Sequence, residues 1–321
     1  MPRTWATLSG LALMGVLLAS GSSPVDASPA VDASAAVDAS PARAEAAAAS
    51  TSVVRYGPFI VPAATAAGPG TIENQLRLAV RRPCADCYIT SFVPDLVYED
   101  GTSADMSTGM MLHHTVLASQ FRRDATCGSN WLGLLGERFF ASGDERTVAS
   151  FPPGYGYRVR WYDSWNMIAD LMNMSDTAKT VYIQMTYTIR PSWESVRALK
   201  PVWLDIDQCG DSEYSIPAGE SDSHWDWSVN VPGRVVTMLG HVHGHGVRVE
   251  ATNESEGGAS ICNSTATLAA DQHHVVSMST CSGDPLAVLQ SGQTVRLHSV
   301  YNSPHPADDV MGIMLGYIHP A

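Results

Sequence analysis

No cluster of lysine or arginine occurs along the 321 residues, and charged residues make up only 16% of them. With a formal net charge of −13 and nothing to neutralise a phosphate backbone, nucleic-acid binding is not expected. Long amphipathic helical patterns are missing. So is any apolar run of the roughly 20 residues that a membrane-spanning helix needs, so stable membrane insertion is not expected either. No Ser-His-Asp order, paired-carboxylate motif or glycine-rich phosphate loop stands out.

The start of the chain has the form of an export signal. Arg3 precedes an apolar stretch from Leu8 to Leu18, and small residues follow (Ala19, Ser20, Gly21, Ser22). No cysteine follows at the position a lipoprotein requires. Residues 1–22 are read as the signal. Residues 23–52, where Val-Asp-Ala-Ser recurs at Val25, Val31 and Val37, are read as a disordered linker with too little apolar surface to fold. The expected location is therefore secreted, with bacterial export the expected route. The six cysteines (Cys84, Cys87, Cys127, Cys209, Cys262, Cys281) suit disulfides in an exported chain. Cys262–Cys281 is the best local pair. Cys84-Ala-Asp-Cys87 lacks a second Cys-x-x-Cys and reads as structural.

Beyond Val53, strand signals dominate. Cys87–Val93, Tyr157–Trp161, Val181–Ile189, Val229–Met238, Val247–Glu250, Val295–Tyr301 and Met311–Ile318 are rich in β-branched and aromatic residues, and turn residues separate them. The hydrophobic fraction of 45% suits a well-buried core. The expected fold is all-β, with two antiparallel β-sandwich, jelly-roll-like domains at 53–195 and 196–321, divided near Pro191 and Pro201.

Three elements point to a metal. His241-Val-His243-Gly-His245 follows the apolar run Val235–Leu239. On an extended strand His241 and His243 share a face, about 6.5–7 Å apart. His245 shares that face only if the strand continues through Gly244. His113-His114 ends an apolar run, and adjacent residues bind one ion only at a bulge or a strand end. Met311 offers a soft thioether, which selects copper(I). Each element alone also reads as surface histidines or as a core methionine. His298 and His305, shortly before Met311, are further candidates to approach the metal. Asp205-Ile-Asp207 and Asp308-Asp309 read as solvated loops before they read as calcium sites.

Taken in order, these elements resemble the copper type II ascorbate-dependent monooxygenases, the peptidylglycine and dopamine hydroxylating enzymes. Arg77–Val80 with Cys87–Pro94, and Phe151-Pro-Pro-Gly-Tyr-Gly, add to the likeness. The chain also resembles the stress up-regulated nodulin 19-like proteins, which share a Leu-His-His element. The first resemblance implies that His241, His243 and Met311 hold an oxygen-binding copper, and that His113 and His114 hold an electron-supplying copper. It also implies ascorbate, or another reductant, as electron donor. The third histidine of that second site is missing. Met172 or Asn173 occupies its neighbourhood, and His224 is the only histidine between His114 and His241. The family's peptide-carboxylate contacts are missing as well, since Leu239-Gly240 precedes the His-x-His and Leu315 stands where a tyrosine is expected.

The expected function is hydroxylation of a C–H bond in a small-molecule or peptide substrate, with one or two coppers. One alternative is a non-catalytic secreted copper-binding protein. The other is a glycan-binding sandwich that stacks sugars on Trp161, Trp165, Trp203, Trp225 and Trp227, the last two sharing a strand face.

Overall fold

A computed structural model of the chain describes residues 48–128, 136–271 and 274–321. The expected signal, most of the linker and His273 lie outside the described residues. In chain order the strands are β1 (Ser50–Val61), β2 (Gly70–Ile72), β3 (Arg77–Val80), β4 (Cys87–Tyr98), β5 (Met110–Ser119), β6 (Glu137–Ser142), β7 (Ala149–Ser150), β8 (Tyr155–Val159), β9 (Trp165–Asn173) and β10 (Lys179–Pro191). They continue as β11 (Arg197–Asp205), β12 (Glu213–Ile216), β13 (Gly219–Ser228), β14 (Gly233–Val242), β15 (Gly246–Asn253), β16 (Ala259–Leu268), β17 (Val275–Met278), β18 (Thr280–Leu289), β19 (Thr294–Ser303) and β20 (Ala307–Pro320). Among the described residues the helical pieces are two short 3₁₀ turns, Met106–Thr108 and Glu254–Glu256, and no helix is long and apolar enough to cross a membrane. The fold is the expected all-β sandwich.

One large sheet runs β1-β10-β4-β8-β11-β20-β14-β18, with β7 beside β4 and β12 beside β20. A sheet of β2-β9-β5-β6, with β3 beside β9, and a sheet of β13-β19-β15-β16-β17 complete the structure. The large sheet passes without a break from the strands before residue 195 to those after it, through the parallel pairing of β8 with β11. Two cores form on its opposite faces. One joins it to the β2-β9-β5-β6 sheet around Phe92, Phe139, Phe140, Tyr157, Trp165 and Tyr187. The other joins it to the β13–β19 sheet around Trp227, Leu297 and Tyr301.

Strands β11, β14 and β20 serve both cores. Leu239, Ile313, Leu315 and Tyr317 face the first, while Met238, Val242, Met314 and Ile318 face the second. A strand buried on both faces must be apolar at nearly every position, which explains the unbroken runs Val235–Leu239 and Met311–Ile318. On the second-core side two positions have no room for a side chain. A Cβ at Gly240 would lie 2.4 Å from Val249 Cγ2 and 2.5 Å from Ser264 Oγ, and one at Gly312 would lie 2.4 Å from Ser299 Oγ.

All six cysteines pair, as Cys84–Cys87, Cys127–Cys209 and Cys262–Cys281. The last is the local pair expected from sequence, and three disulfides fit an oxidising compartment. Cys127–Cys209 spans 82 positions, a closure that stabilises by about 4–5 kcal/mol in the chain-entropy account. The tryptophan reading is corrected here. Trp227 is 4% exposed in the second core, and Trp165 and Trp203 are buried in the first, so Trp225 and Trp227 form no open stacking platform.

Gly240→Ala is expected to destabilise the protein by about 1–3 kcal/mol, the usual cost of overpacking. A urea midpoint equal to that of the parent would show that β14 and the β15–β16 pair can separate at no cost.

Candidate metal centre

The histidines come from two sheets that meet. On β5, Leu112 pairs with Leu171 of β9 and His114 pairs with Asp170, so His113 is the extra residue of a bulge. A bulge re-aims side chains that a regular strand would send to opposite faces. The rings of His113 and His114 accordingly lie 4.6 Å apart. On β14, His241 pairs with Ile313 of β20. The two-residue period then puts His241, His243, Ile313 and Met311 on one face. The strand ends at Val242, and a turn closes with the Gly246 N–H donating to the His243 carbonyl at 3.0 Å, so His245 leaves that face.

These elements bring four imidazoles together. Ring centres are 5.4 Å apart for His241–His243, 5.0 Å for His113–His243 and 6.4 Å for His114–His243. Two imidazoles on one ion, bound through bonds of about 2.0–2.1 Å, keep their centres within about 6.5 Å. The three measured separations satisfy that bound, the last at its limit. The pair His113-His114 and the pair His241/His243, implied by resemblance to serve different coppers, thus form one cluster. His298 instead meets Asp222 at 3.1 Å and the ring of His224 at 6.2 Å, and His305 meets the ring of His245 at 5.9 Å.

Each of three histidines has one nitrogen held and the other buried without a partner. His114 Nε2 meets Asp170 Oδ2 at 2.6 Å, leaving Nδ1 unpartnered. His241 Nδ1 meets Glu145 Oε1 at 3.1 Å, leaving Nε2 unpartnered. His243 Nδ1 meets the Asp309 carbonyl at 2.6 Å, leaving Nε2 unpartnered. The tautomers that satisfy these contacts carry the proton on the held nitrogen and the lone pair on the free one. A held nitrogen opposite a free one is the arrangement of metal-ligating histidine. One atom each of His113, His114 and Asp170 also lie within 4.8 Å of one another. Asp170 there accepts from His114, so the orphaned nitrogens mark the donor set better than that proximity does.

Burial sets the protonation states. It pushes His243 down to about 3, with the neighbouring His241 and His113 adding to the shift, and it pushes His114 well below the ordinary histidine value. His113 is lowered by burial and then by His241. Burial also acts against the charged form of His241, but Glu145 more than offsets it and the net shift is upward. Burial raises the Glu145 carboxyl, yet His241 and the Gly143 N–H bring it below the ordinary value. Asp170 is raised by burial to about 6, against the Asn74 N–H.

Tyr301 joins the two ligand strands. Its hydroxyl accepts from the His243 N–H at 2.8 Å and donates to the Met311 carbonyl at 2.5 Å, just where the β14–β20 ladder has ended. Beside the histidines is a cavity of about 460 Å³, lined among others by His114, Asp170, His241, Trp203, Met311 and Ile313.

Sequence reasoning missed Asp170, Glu145, the Asp309 carbonyl and Tyr301. Asp170 was detectable only as the cross-strand partner of His114, a register no motif encodes, and Glu145 sits in a loop without any motif. Asn173, named for the missing ligand, instead accepts from the Ser175 N–H at 2.9 Å and donates to the Pro62 and Thr177 carbonyls. Asp205, set beside a calcium reading, is taken up by Trp203 Nε1 at 3.0 Å, Ser212 Oγ at 2.5 Å and the Asp207 N–H at 3.1 Å.

Two outcomes follow for the metal-free protein. Tyr301→Phe leaves the buried His243 N–H unpaired and is expected to cost about 1–3 kcal/mol in urea denaturation. The second concerns pH. Unfolded histidine titrates near about 6.5, and folded His243 only near about 3. Across that window the unfolded chain binds more protons, so His243 makes stability fall as pH falls. His113 and His114 act in the same direction. His241 and Asp170, both raised, act in the opposite one. His243→Gln should therefore lose less stability than the parent between pH 7 and pH 4.5. An equal loss in both proteins would overturn the assignment.

Several known proteins are similar to this chain. "Probable copper-dependent oxygenase M1" of Phoma sp. is 27% identical over 289 residues, covering 83% of this chain and 71% of that protein. "Probable copper-dependent oxygenase clz3" of Cochliobolus lunatus is 27% identical over 246 residues, covering 70% and 77%. Among solved structures, the major capsid protein P2 of bacteriophage PM2 aligns over 85% of this chain and 98% of its own at 11% identity, with a TM-score of 0.34. The STIV major capsid protein aligns over 84% and 97% at 10% identity, with a TM-score of 0.31. Likeness at that level carries no argument. The family described as Stress up-regulated Nod 19 matches residues 156–321, from β8 to the end and including His241, His243 and Met311. With more than half of its length so matched, the chain belongs to the Stress up-regulated Nod 19 family.

Proposed function

We propose that this protein is a secreted copper-dependent oxygenase that hydroxylates a C–H bond of a small molecule, using O2 and an external reductant such as ascorbate. The observation that carries the reading is the set of three buried, unpartnered imidazole nitrogens beside a cavity that Met311 also lines. Imidazoles alone suit zinc, copper, iron or nickel, and the thioether shifts the preference to copper(I). The two relatives named as copper-dependent oxygenases support the same metal.

His114 Nδ1, His241 Nε2 and His243 Nε2 are the nitrogen donors, and Met311 is the soft donor. Four rings in one cluster favour a single centre over two separated ones. Copper held there would supply one-electron redox chemistry toward O2. The chain's own part is to orient and exclude. Asp170 and Glu145 fix the rings of His114 and His241, while the Asp309 carbonyl and Tyr301 fix His243. The cavity wall keeps a substrate C–H out of water. The overall reaction consumes the substrate R–H, O2 and ascorbate, and yields R–OH, water and dehydroascorbate. Both electrons and both protons of the water come from ascorbate.

The test loads the disulfide-intact protein with copper and measures metal content, Cu(II) electron paramagnetic resonance and O2 uptake with ascorbate. About one copper per chain and ascorbate-dependent uptake are expected. Glu145→Gln is expected to weaken copper binding by roughly 10–100-fold, the usual effect of removing the partner of a ligating histidine. Tight binding of one copper with no uptake on any reductant would instead support a non-catalytic copper carrier.

A further inference from the structure

Resting on that reading of the site, we infer that the cavity beside the histidines accepts an apolar small molecule that carries no negative charge. Its volume of about 460 Å³ falls within the usual range for small-molecule pockets, roughly 300–1,000 Å³. Val116 and Ile168 supply one wall, Trp203 and Ile313 the other, and Leu76 and Ala141 add to the apolar lining.

The one arginine or lysine lining the cavity among the described residues is already committed, and the lining His241 is held by Glu145. Arg138 donates from Nε to Asp124 Oδ2 at 2.9 Å and from Nη2 to Asp124 Oδ1 at 3.2 Å and Thr126 Oγ1 at 3.3 Å. Its guanidinium carbon also sits 4.7 Å from the centre of the Trp203 ring. The pairing holds the Asp124 carboxyl down at about 2 despite burial. A ligand carboxylate or phosphate would have to break this pair to find a counter-charge.

The surroundings are acidic. Asp211 lines the cavity, Glu213 pairs with Met311 on β20, Glu73 precedes the lining residue Asn74, and Asp309 lies two residues before Met311. All four are exposed. Burial raises the Glu213 carboxyl, and Asp211, Asp309 and Glu73 raise it further, as expected of carboxylates close enough to repel. An anion approaching past these carboxylates is repelled, whereas a neutral molecule is not and a cation is attracted. Half-buried His241 and His114, each with one fully buried nitrogen left free, line the same cavity, which makes it a built site and not merely an acidic surface.

The experiment uses three probes with one ring system: 1-naphthylmethanol, trimethyl(1-naphthylmethyl)ammonium and 1-naphthoate. Binding to the full mature protein is measured by titration calorimetry without metal, so no probe can be held by copper. The alcohol and the quaternary ammonium are expected to bind at least tenfold more tightly than the carboxylate. Asp211→Asn with Glu213→Gln should narrow that gap, and added salt should narrow it further. Ile168→Trp, or Ala141→Phe should the first variant fail to fold, should abolish binding of the alcohol. Carboxylate binding as tight as that of the alcohol would overturn the inference. So would alcohol binding untouched by the cavity-filling variants, or no binding by any probe. Because no copper is present and binding alone is read, these outcomes are independent of whether the loaded protein takes up O2.

Discussion

Three imidazole nitrogens are buried with nothing to bond to, and each leaves the protein with a desolvation cost of about 1–3 kcal/mol. No protein group bonds to them, and the one polar contact of each ring is made by its other nitrogen. The two sheets and their cores must therefore hold the rings against their tendency to turn toward water or to protonate. Burial depresses three of the four histidines, which keeps their lone pairs available. A soft cation bound at those lone pairs removes the cost. Metal binding and folding stability are linked in that way.

The scaffold answers the cost by burying the ligand strands on both faces. β14 and β20 lie between two cores, so a rotation that released His241 or Met311 would disturb packing on both sides. Gly240 and Gly312 let the second sheet come close enough to make that packing tight. Where the ladder stops, the Tyr301 hydroxyl takes over, linking the backbone of His243 to that of Met311. The glycines and the tyrosine sit on the side away from the histidines, and they act by fixing the strands on which those histidines are placed.

Access to the centre is governed by a different physics. The cavity offers apolar walls and a guanidinium already neutralised by Asp124, within a rim of exposed carboxylates. On the proposed reading, the donor set would select the metal by softness, and the cavity lining would select the organic partner by charge and polarity. The histidines and the methionine stand out in the sequence, whereas the cavity lining carries no motif.

The strand-rich fold, and the face that His241 shares with His243, were legible in the residues alone, because the two-residue period of a strand is local. The same period also showed that His113 and His114 could act together only at a bulge or a strand end, and the structure has a bulge there. The residue pattern reaches no further than such local geometry. The unbroken apolar runs of β14 and β20 were legible as strands, though not the fact that each serves two cores. The packing of the sheets brings the two histidine pairs into one cluster, sets Asp170 opposite His114, and adds Glu145 and Tyr301 as supports. It also decided that Trp227 is core. Those outcomes depend on register between strands far apart in the chain and on which sheet faces meet. Such non-local pairings are fixed by packing over the whole molecule, not by the residues adjacent in sequence.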